Sequence, residues 1–330
     1  MREALERFIA AQLAGPENLG AVNVEVCDLE PIYSVGNARR PWSFNARWRR
    51  NGDLYEIACV MLVKAEAGQL ETQMPVEFST MRALHNRGVP IPRVLWLDEA
   101  GEAFGSPFFV SERVRGTADM SILRVSPDDR RGHRLAEDMV RAIVALHAIR
   151  WADLGLELAV VTARSAAGAQ LDYWEDIFER QRLEPLPAVA FAFAWLRDHQ
   201  PVAERVVVVH GDFRVGNILY DGDRVTALLD WEMVHLGDPL EDIAWAYRPL
   251  WSMQRHMSLG EFVDRYMALS GTHVDPDCLL WYRLFNEVKH AMISLTAARS
   301  FNDGATQFIR HSDRATTIPD FMAQFLEWLP

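Results

Sequence analysis

One stretch constrains this chain more than any other: Val206-Val-Val-Val-His-Gly-Asp-Phe-Arg-Val-Gly-Asn-Ile-Leu-Tyr220, followed by Asp230-Trp-Glu232. The four valines predict a buried strand, and Ile218 to Tyr220 and Val225 to Leu229 predict two more, joined by the turn signal Asp221-Gly222-Asp223. Folding back at Gly222 returns Leu229 and Asp230 toward Asn217. A carboxylate and an amide oxygen then face one pocket, with Asp212 on the loop just before it. Oxygen donors of this kind suit Mg²⁺, which takes one or two protein carboxylates together with phosphate oxygens and water. The stretch reads as a kit for holding a magnesium nucleotide.

The rest of the chain divides into a strand-rich first third and a helix-rich remainder. Trp42 to Trp48 and Glu56 to Lys64 flank Asn51-Gly52-Asp53, a hairpin signal between β-favouring runs. A helix is predicted over Val76 to Asn86, stopped by Pro90 and Pro92, with strands at Val94 to Leu97 and Phe108 to Val114. Beyond Gly116, Leu135, Met139, Ile143 and Leu146 recur at helical spacing, and Leu5, Phe8, Ile9 and Leu13 make a similar stripe near the N-terminus. Ala159 to Gly168 is the one weakly patterned loop.

Composition narrows the class. At 330 residues, 49% hydrophobic and 24% charged, the chain is long enough for two lobes. A net charge of −12 argues against a nucleic-acid or anionic-membrane partner, which would favour a clustered basic surface. Met1 to Leu13 carries Glu3 and Glu6 among its apolar residues, unlike a signal peptide, and no apolar run approaches the roughly 20 residues needed to span a bilayer. Cys27, Cys59 and Cys278 are widely spaced, as expected of reduced core thiols in a cytoplasmic protein. Phosphate loops of the Gly-Lys-Ser/Thr type, dinucleotide glycine fingerprints, His-Glu-x-x-His helices and Gly-x-Ser-x-Gly elbows are all missing from the sequence.

A mainly β segment, a crossing strand at Phe108-Phe-Val-Ser-Glu-Arg-Val-Arg-Gly116, and then His210-Gly-Asp-Phe-Arg-Val-Gly-Asn217 with Leu229-Asp-Trp-Glu232 resemble the aminoglycoside phosphotransferase family of kinase-like enzymes. Leu236-Gly-Asp-Pro-Leu-Glu-Asp-Ile-Ala-Trp245 is similar to the branch related to the kinase-like domain of acyl-CoA dehydrogenase fusion proteins. The resemblance implies an α+β, two-lobed protein-kinase-like fold. A small antiparallel β N-lobe with one helix spans 1–113, a hinge lies about 111–116, and a larger helical C-lobe spans 117–330.

It further implies Asp212 as the base or hydroxyl-orienting group, Arg214 as its brace, and Asn217 and Asp230 as Mg²⁺ ligands. His210 is expected to brace the loop, and Asp238 and Asp242 to cap a helix and face back toward it. Lys64 and Glu77 match the lysine and glutamate ion pair that serves the nucleotide phosphates. Glu112 on the crossing strand joins the nucleotide-binding set. As ordinary residues, Lys64 is a strand-end charge and Glu77 a first-turn carboxylate favoured by the helix dipole. The phosphate-covering loop departs from the family pattern: Ser34-Val-Gly-Asn-Ala-Arg-Arg-Pro41 carries Gly36 alone where relatives have two adjacent glycines. Ser34, Asn37 or Arg39 remain as phosphate contacts, and an ordinary hairpin turn explains the segment equally.

The donor is expected to be ATP or GTP with Mg²⁺. Only Met233 to Gly237 separate the Asp-Trp-Glu string from Asp238, too few for the activation segment a protein acceptor requires, so a small hydroxylated acceptor is expected. A hydroxyacyl compound or alcohol is favoured over an aminoglycoside, because Glu261, Asp264, Asp275, Asp277 and Glu287 form no evident acidic cluster beside the catalytic loop. A silent nucleotide-binding module is the remaining alternative.

Overall fold

The computed structural model describes residues 1–14, 23–32, 39–64 and 73–330. Two compact units divide the chain: Met1–Arg82 with Pro92–Val114, and Ala83–Ile91 with Arg115–Pro330.

The first unit is a five-stranded sheet in the order β1-β2-β3-β5-β4, every neighbouring pair antiparallel. Helix α1 (Arg2–Ala14) precedes β1 (Val24–Pro31), β2 (Arg39–Arg50) and β3 (Asp53–Lys64); α2 (Met74–Leu84), β4 (Val94–Asp98) and β5 (Phe108–Glu112) follow. The β2–β3 hairpin turns at Asn51-Gly52, both at positive φ (54° and 91°), as a two-residue turn between right-twisted strands requires. Its open end sets Arg39 opposite Lys64. Alternation then builds the core: Phe44, Ala46, Cys59, Met61, Phe108 and Val110 join Leu5 and Ile9 from the α1 stripe. Helix α1 thereby adds to the single helix that the family resemblance implies. The opposite face of β5 presents Phe109, which meets Phe78 of α2 edge-on at 6.0 Å. Cys27, Cys59 and Cys278 are all free, but only Cys59 is buried, where desolvation pushes its thiol up to about 12.

The second unit is mostly helical. Helix α3 (Arg130–His147) buries the predicted stripe Leu135, Met139, Ile143 and Leu146. It is followed by α4 (Ala166–Gln181), α5 (Pro187–Asp198), β6 (Val207–Val209), β7 (Ile218–Asp221), β8 (Arg224–Leu228) and β9 (His235–Gly237). Strands β7 and β8 form the expected hairpin, and β6 pairs antiparallel with β9. Helix α6 (Leu240–Ala246), α7 (Leu259–Ser270), α8 (Pro276–Asn302), a 3₁₀ segment at Ile309–Thr317 and α9 (Ile318–Trp328) complete it.

Three of the acidic residues considered for a cationic substrate do structural work here. Glu261 forms a capping box with Ser258 at the start of α7. Asp275 accepts the Asp277 and Cys278 N–H groups at the start of α8, a cap of about 1 kcal/mol. Glu287 is buried against Arg248. No helix among the described residues is long and apolar enough to cross a membrane.

Candidate active site

The loop after β6 is held from beneath by α6. Asp242 accepts the backbone N–H groups of His210 (2.8 Å) and Gly211 (2.9 Å), two donors that no strand partner reaches. Its own position is set by His147, whose Nε2 donates to Asp242 at 3.1 Å while Nδ1 accepts from the Tyr266 hydroxyl at 3.0 Å. Burial pushes His147 and His210 below the ordinary histidine value, so both serve as neutral rings. Burial of Asp242 works the other way, yet the His147 hydrogen bond and the His210 N–H hold its carboxyl below the usual range. Gly211 sits at φ 81°, and a Cβ there would strike the Met233 backbone, so the turn admits glycine alone.

A second support is a buried lysine. Lys289 of α8 donates to the Gly211 carbonyl (2.6 Å) and to Glu241 Oε1 (2.8 Å). Both charged groups are about 1% exposed. Burial disfavours the Glu241 carboxylate, but Lys289 and then His235 outweigh it and hold the group well below the usual range.

Asp212 is oriented by three side chains. Its Oδ1 accepts from Arg214 Nε (2.9 Å) and Trp245 Nε1 (2.5 Å), and its Oδ2 accepts from Asn217 Nδ2 (2.5 Å). A carboxylate offers about four lone-pair sites. One acceptor site is therefore left for an incoming hydroxyl. The His210 ring accepts the Asp212 N–H at 3.2 Å, the bracing that the sequence suggests.

The β7–β8 hairpin does what its turn signal promises. Leu229 N–H returns to the Asn217 carbonyl at 2.8 Å, which brings residue 230 beside residue 217. Asp230 itself lies at φ 65°, an uncommon conformation for a residue other than glycine, and one enriched in aspartate and asparagine. With Nδ2 of Asn217 committed to Asp212, the amide oxygen is the atom left for a cation. An amide and a carboxylate oxygen are the donor chemistry that Mg²⁺ takes.

The first unit also departs from expectation at the partner of Glu77. Glu77, 2% exposed in the first turn of α2, ion-pairs with Arg39, and Lys64 stands exposed at the end of β3. The Lys64–Glu77 pair is therefore not formed. Arg39 and Lys64 are register partners, so they share one face of the sheet, and it is the guanidinium that turns inward, above the Phe109 ring at 6.0 Å. A guanidinium is more weakly hydrated than an ammonium and forms several directed hydrogen bonds, which makes it the cheaper cation to bury beside a carboxylate. Glu112, at the end of β5, pairs with Arg93 at 3.1 Å in a half-exposed contact. Ser34, Gly36 and Asn37 lie outside the described residues.

Two contributors escape a reading by residue type. Trp245 reads as one of several core tryptophans at helical spacing, and only the fold turns its indole N–H to Asp212. Lys289 carried a usable signal: a lone cation among Phe285, Val288 and Met292 on a buried helix face requires a buried anion.

The chain is similar to known proteins in sequence and in fold. The sequence profile of the phosphotransferase enzyme family matches residues 40–282. Mouse acyl-CoA dehydrogenase family member 10 is 33% identical over 181 residues, covering 52% of this chain and 16% of that protein. Rat acyl-CoA dehydrogenase family member 11 is 30% identical over 205 residues, covering 60% of this chain and 24% of that protein. The matched segment is thus a quarter or less of either relative. The aminoglycoside 3'-phosphotransferase of Streptomyces fradiae is 28% identical over 226 residues, 64% of this chain and 78% of that one. Among solved structures, a candidate aminoglycoside phosphotransferase from Ralstonia eutropha superposes with a TM-score of 0.71 at 22% identity, covering 99% of this chain and 97% of that one. The aminoglycoside phosphotransferase APH(4)-Ia, in a ternary complex with AMP-PNP and hygromycin B, superposes at 0.62 and 20% identity, covering 97% of this chain and 98% of that one. At these identities the superpositions establish the kinase-like fold.

Proposed function

The chain belongs to the phosphotransferase enzyme family, and from that premise we propose that it is a Mg²⁺-dependent kinase of a small hydroxylated molecule. The donor in this reading is ATP or GTP, and the acceptor is a hydroxyacyl compound or alcohol. The observation that carries it is the carboxylate of Asp212, aimed by Arg214, Asn217 and Trp245 and left with room for one more donor. An acceptor hydroxyl placed there gives its proton to Asp212 as its oxygen bonds to the γ-phosphorus. The bond from that phosphorus to the β,γ-bridging oxygen breaks, and the nucleoside diphosphate leaves. Positioning and electrostatics supply most of the acceleration in such transfers. Asn217 and Asp230 would hold Mg²⁺, which screens charge on the phosphate oxygens when bound. Lys64, exposed at the end of β3, remains the proposed phosphate cation. Arg39 and Glu77 brace the same end of the sheet. Gly36 and Asn37 are proposed to contact the phosphates, and Glu112 to lie against the nucleotide base.

Thermal shift with Mg·ATP and Mg·GTP tests the donor half, because a ligand that binds only the folded state raises apparent stability. Stabilisation by neither nucleotide would sink the proposal. Transfer of labelled phosphate to a panel of hydroxyl compounds tests the rest. Asp212→Ala should abolish transfer while retaining most of the nucleotide stabilisation, and Asp230→Ala should lose both.

A further inference from the structure

Both side chains that donate to Asp212 Oδ1 belong to one aromatic pair. Trp245 donates its indole N–H at 2.5 Å, and Arg214, which donates its Nε at 2.9 Å, lies 5.2 Å from the centre of the Trp251 ring. The two tryptophan rings are 5.0 Å apart, and the Trp245 carbonyl accepts both the Trp251 indole N–H (2.6 Å) and the Arg248 backbone N–H (3.3 Å). The Arg248 guanidinium stands over this pair, 5.5 Å from the Trp245 ring centre and 5.4 Å from that of Trp251. Lys289 adds a second cation 4.7 Å from Trp245.

Arg248 is itself fixed on every arm. Its Nε donates to Glu287 Oε1 at 3.0 Å, Nη2 donates to Oε2 of the same carboxylate, and Nη1 donates to His290 Nδ1. All three side chains are buried. Paired arms on one carboxylate set the plane of the guanidinium as well as its place. A buried ion pair of this kind adds little to stability over apolar residues of the same volume. What it adds here is a cation held in one place over two rings. A cation over an indole draws on the electrons of the ring, and a ring polarised in that way is a stronger N–H donor.

We propose that Arg248 is a positioning residue for phosphoryl transfer: held by Glu287 and His290, it fixes the Trp245 and Trp251 rings and, through them, the two donors that aim Asp212 Oδ1. This rests on the reading of Asp212 as the group that meets the acceptor hydroxyl. Replacing Arg248 removes neither donor, yet it frees the rings that set their angles. A reacting geometry tolerates little drift of that kind.

The test is the paired variant Arg248→Met with Glu287→Leu, which removes both charges at similar volume and so avoids leaving one of them buried alone. Urea melts and the Mg·ATP thermal shift should stay close to wild type. Transfer to an acceptor found active with the wild-type chain should lose about 10- to 100-fold in kcat, the scale of a misplaced reacting group, with KM for the acceptor within about twofold. The Trp245 indole N–H resonance, assigned by its disappearance in Trp245→Phe, should move upfield as its bond to Asp212 weakens. Arg248→Lys with Glu287 retained restores a cation and should recover part of both effects. An indole resonance at its wild-type position in the folded paired variant, wild-type kcat, or a loss of kcat matched by equal losses in stability and nucleotide binding would each overturn the inference and leave the kinase reading intact. A wild-type chain that transfers no phosphate would instead remove the kinase reading and with it the positioning role, while the indole resonance still decides whether Arg248 sets the donor geometry at Asp212.

Discussion

The indole N–H of Trp245 donates to Asp212 Oδ1 at 2.5 Å across 33 residues of sequence. The contact ties α6 to the loop after β6, so the carboxylate proposed to meet the substrate is aimed by a helix that also holds the loop's backbone through Asp242. Trp245→Phe keeps most of the packing and removes the donor. A hydrogen bond to a charged group contributes about 1.5–3 kcal/mol, so kcat should fall roughly 10- to 100-fold. Steady-state kinetics beside a Mg·ATP thermal shift checks this: equal losses in turnover and nucleotide binding would place the effect on folding.

Arg39 and Lys64, register partners on one sheet face, should separate by experiment. Arg39→Met removes the buried partner of Glu77 and should cost about 3–5 kcal/mol, the scale of breaking a buried ion pair. Lys64→Met should leave stability within about 0.5 kcal/mol, as at most exposed positions, and weaken Mg·ATP binding. Urea melts and nucleotide titration of both variants read the two effects independently.

Lys289→Met should be the most damaging conservative change in α8. It leaves Glu241 charged and buried and the Gly211 carbonyl without its donor, at a cost of about 3–5 kcal/mol. Replacing Glu241 with Gln in the same chain should restore part of the loss. A double-mutant cycle of unfolding free energies measures it.

Asp238 gives the chain a pH dependence. Burial pushes its carboxyl up to about 7, although it accepts the Leu240 N–H at 2.9 Å. The folded state therefore holds a proton that the unfolded state releases near the ordinary carboxylate value, so stability falls as pH rises through that interval and levels above about 7. Asp238→Asn keeps the acceptor and removes the titration. The variant's melting temperature should be flatter than wild type between the ordinary carboxylate range and neutrality, and a parallel pair of curves would exclude Asp238 as the source.

Sequence alone determined the local pieces, because each rests on near neighbours. The valine run with the Asp221-Gly222-Asp223 turn sets the β7–β8 hairpin, and Leu229 does return to Asn217. The spacing of Leu135, Met139, Ile143 and Leu146 sets the buried face of α3. His-Gly-Asp and its following asparagine and aspartate, matched to a family, placed Asp212, Asn217 and Asp230 in one neighbourhood. Tertiary structure decided what residue type leaves open, namely which cation is desolvated and which ring turns a polar edge inward. Lys64 and Arg39 are both basic, and only strand register and the burial of a guanidinium over Phe109 give Glu77 to Arg39. Trp245 and Lys289 reach the loop after β6 from helices far along the chain. Hydrogen-bond direction and desolvation depend on those long-range contacts, which no local spacing encodes.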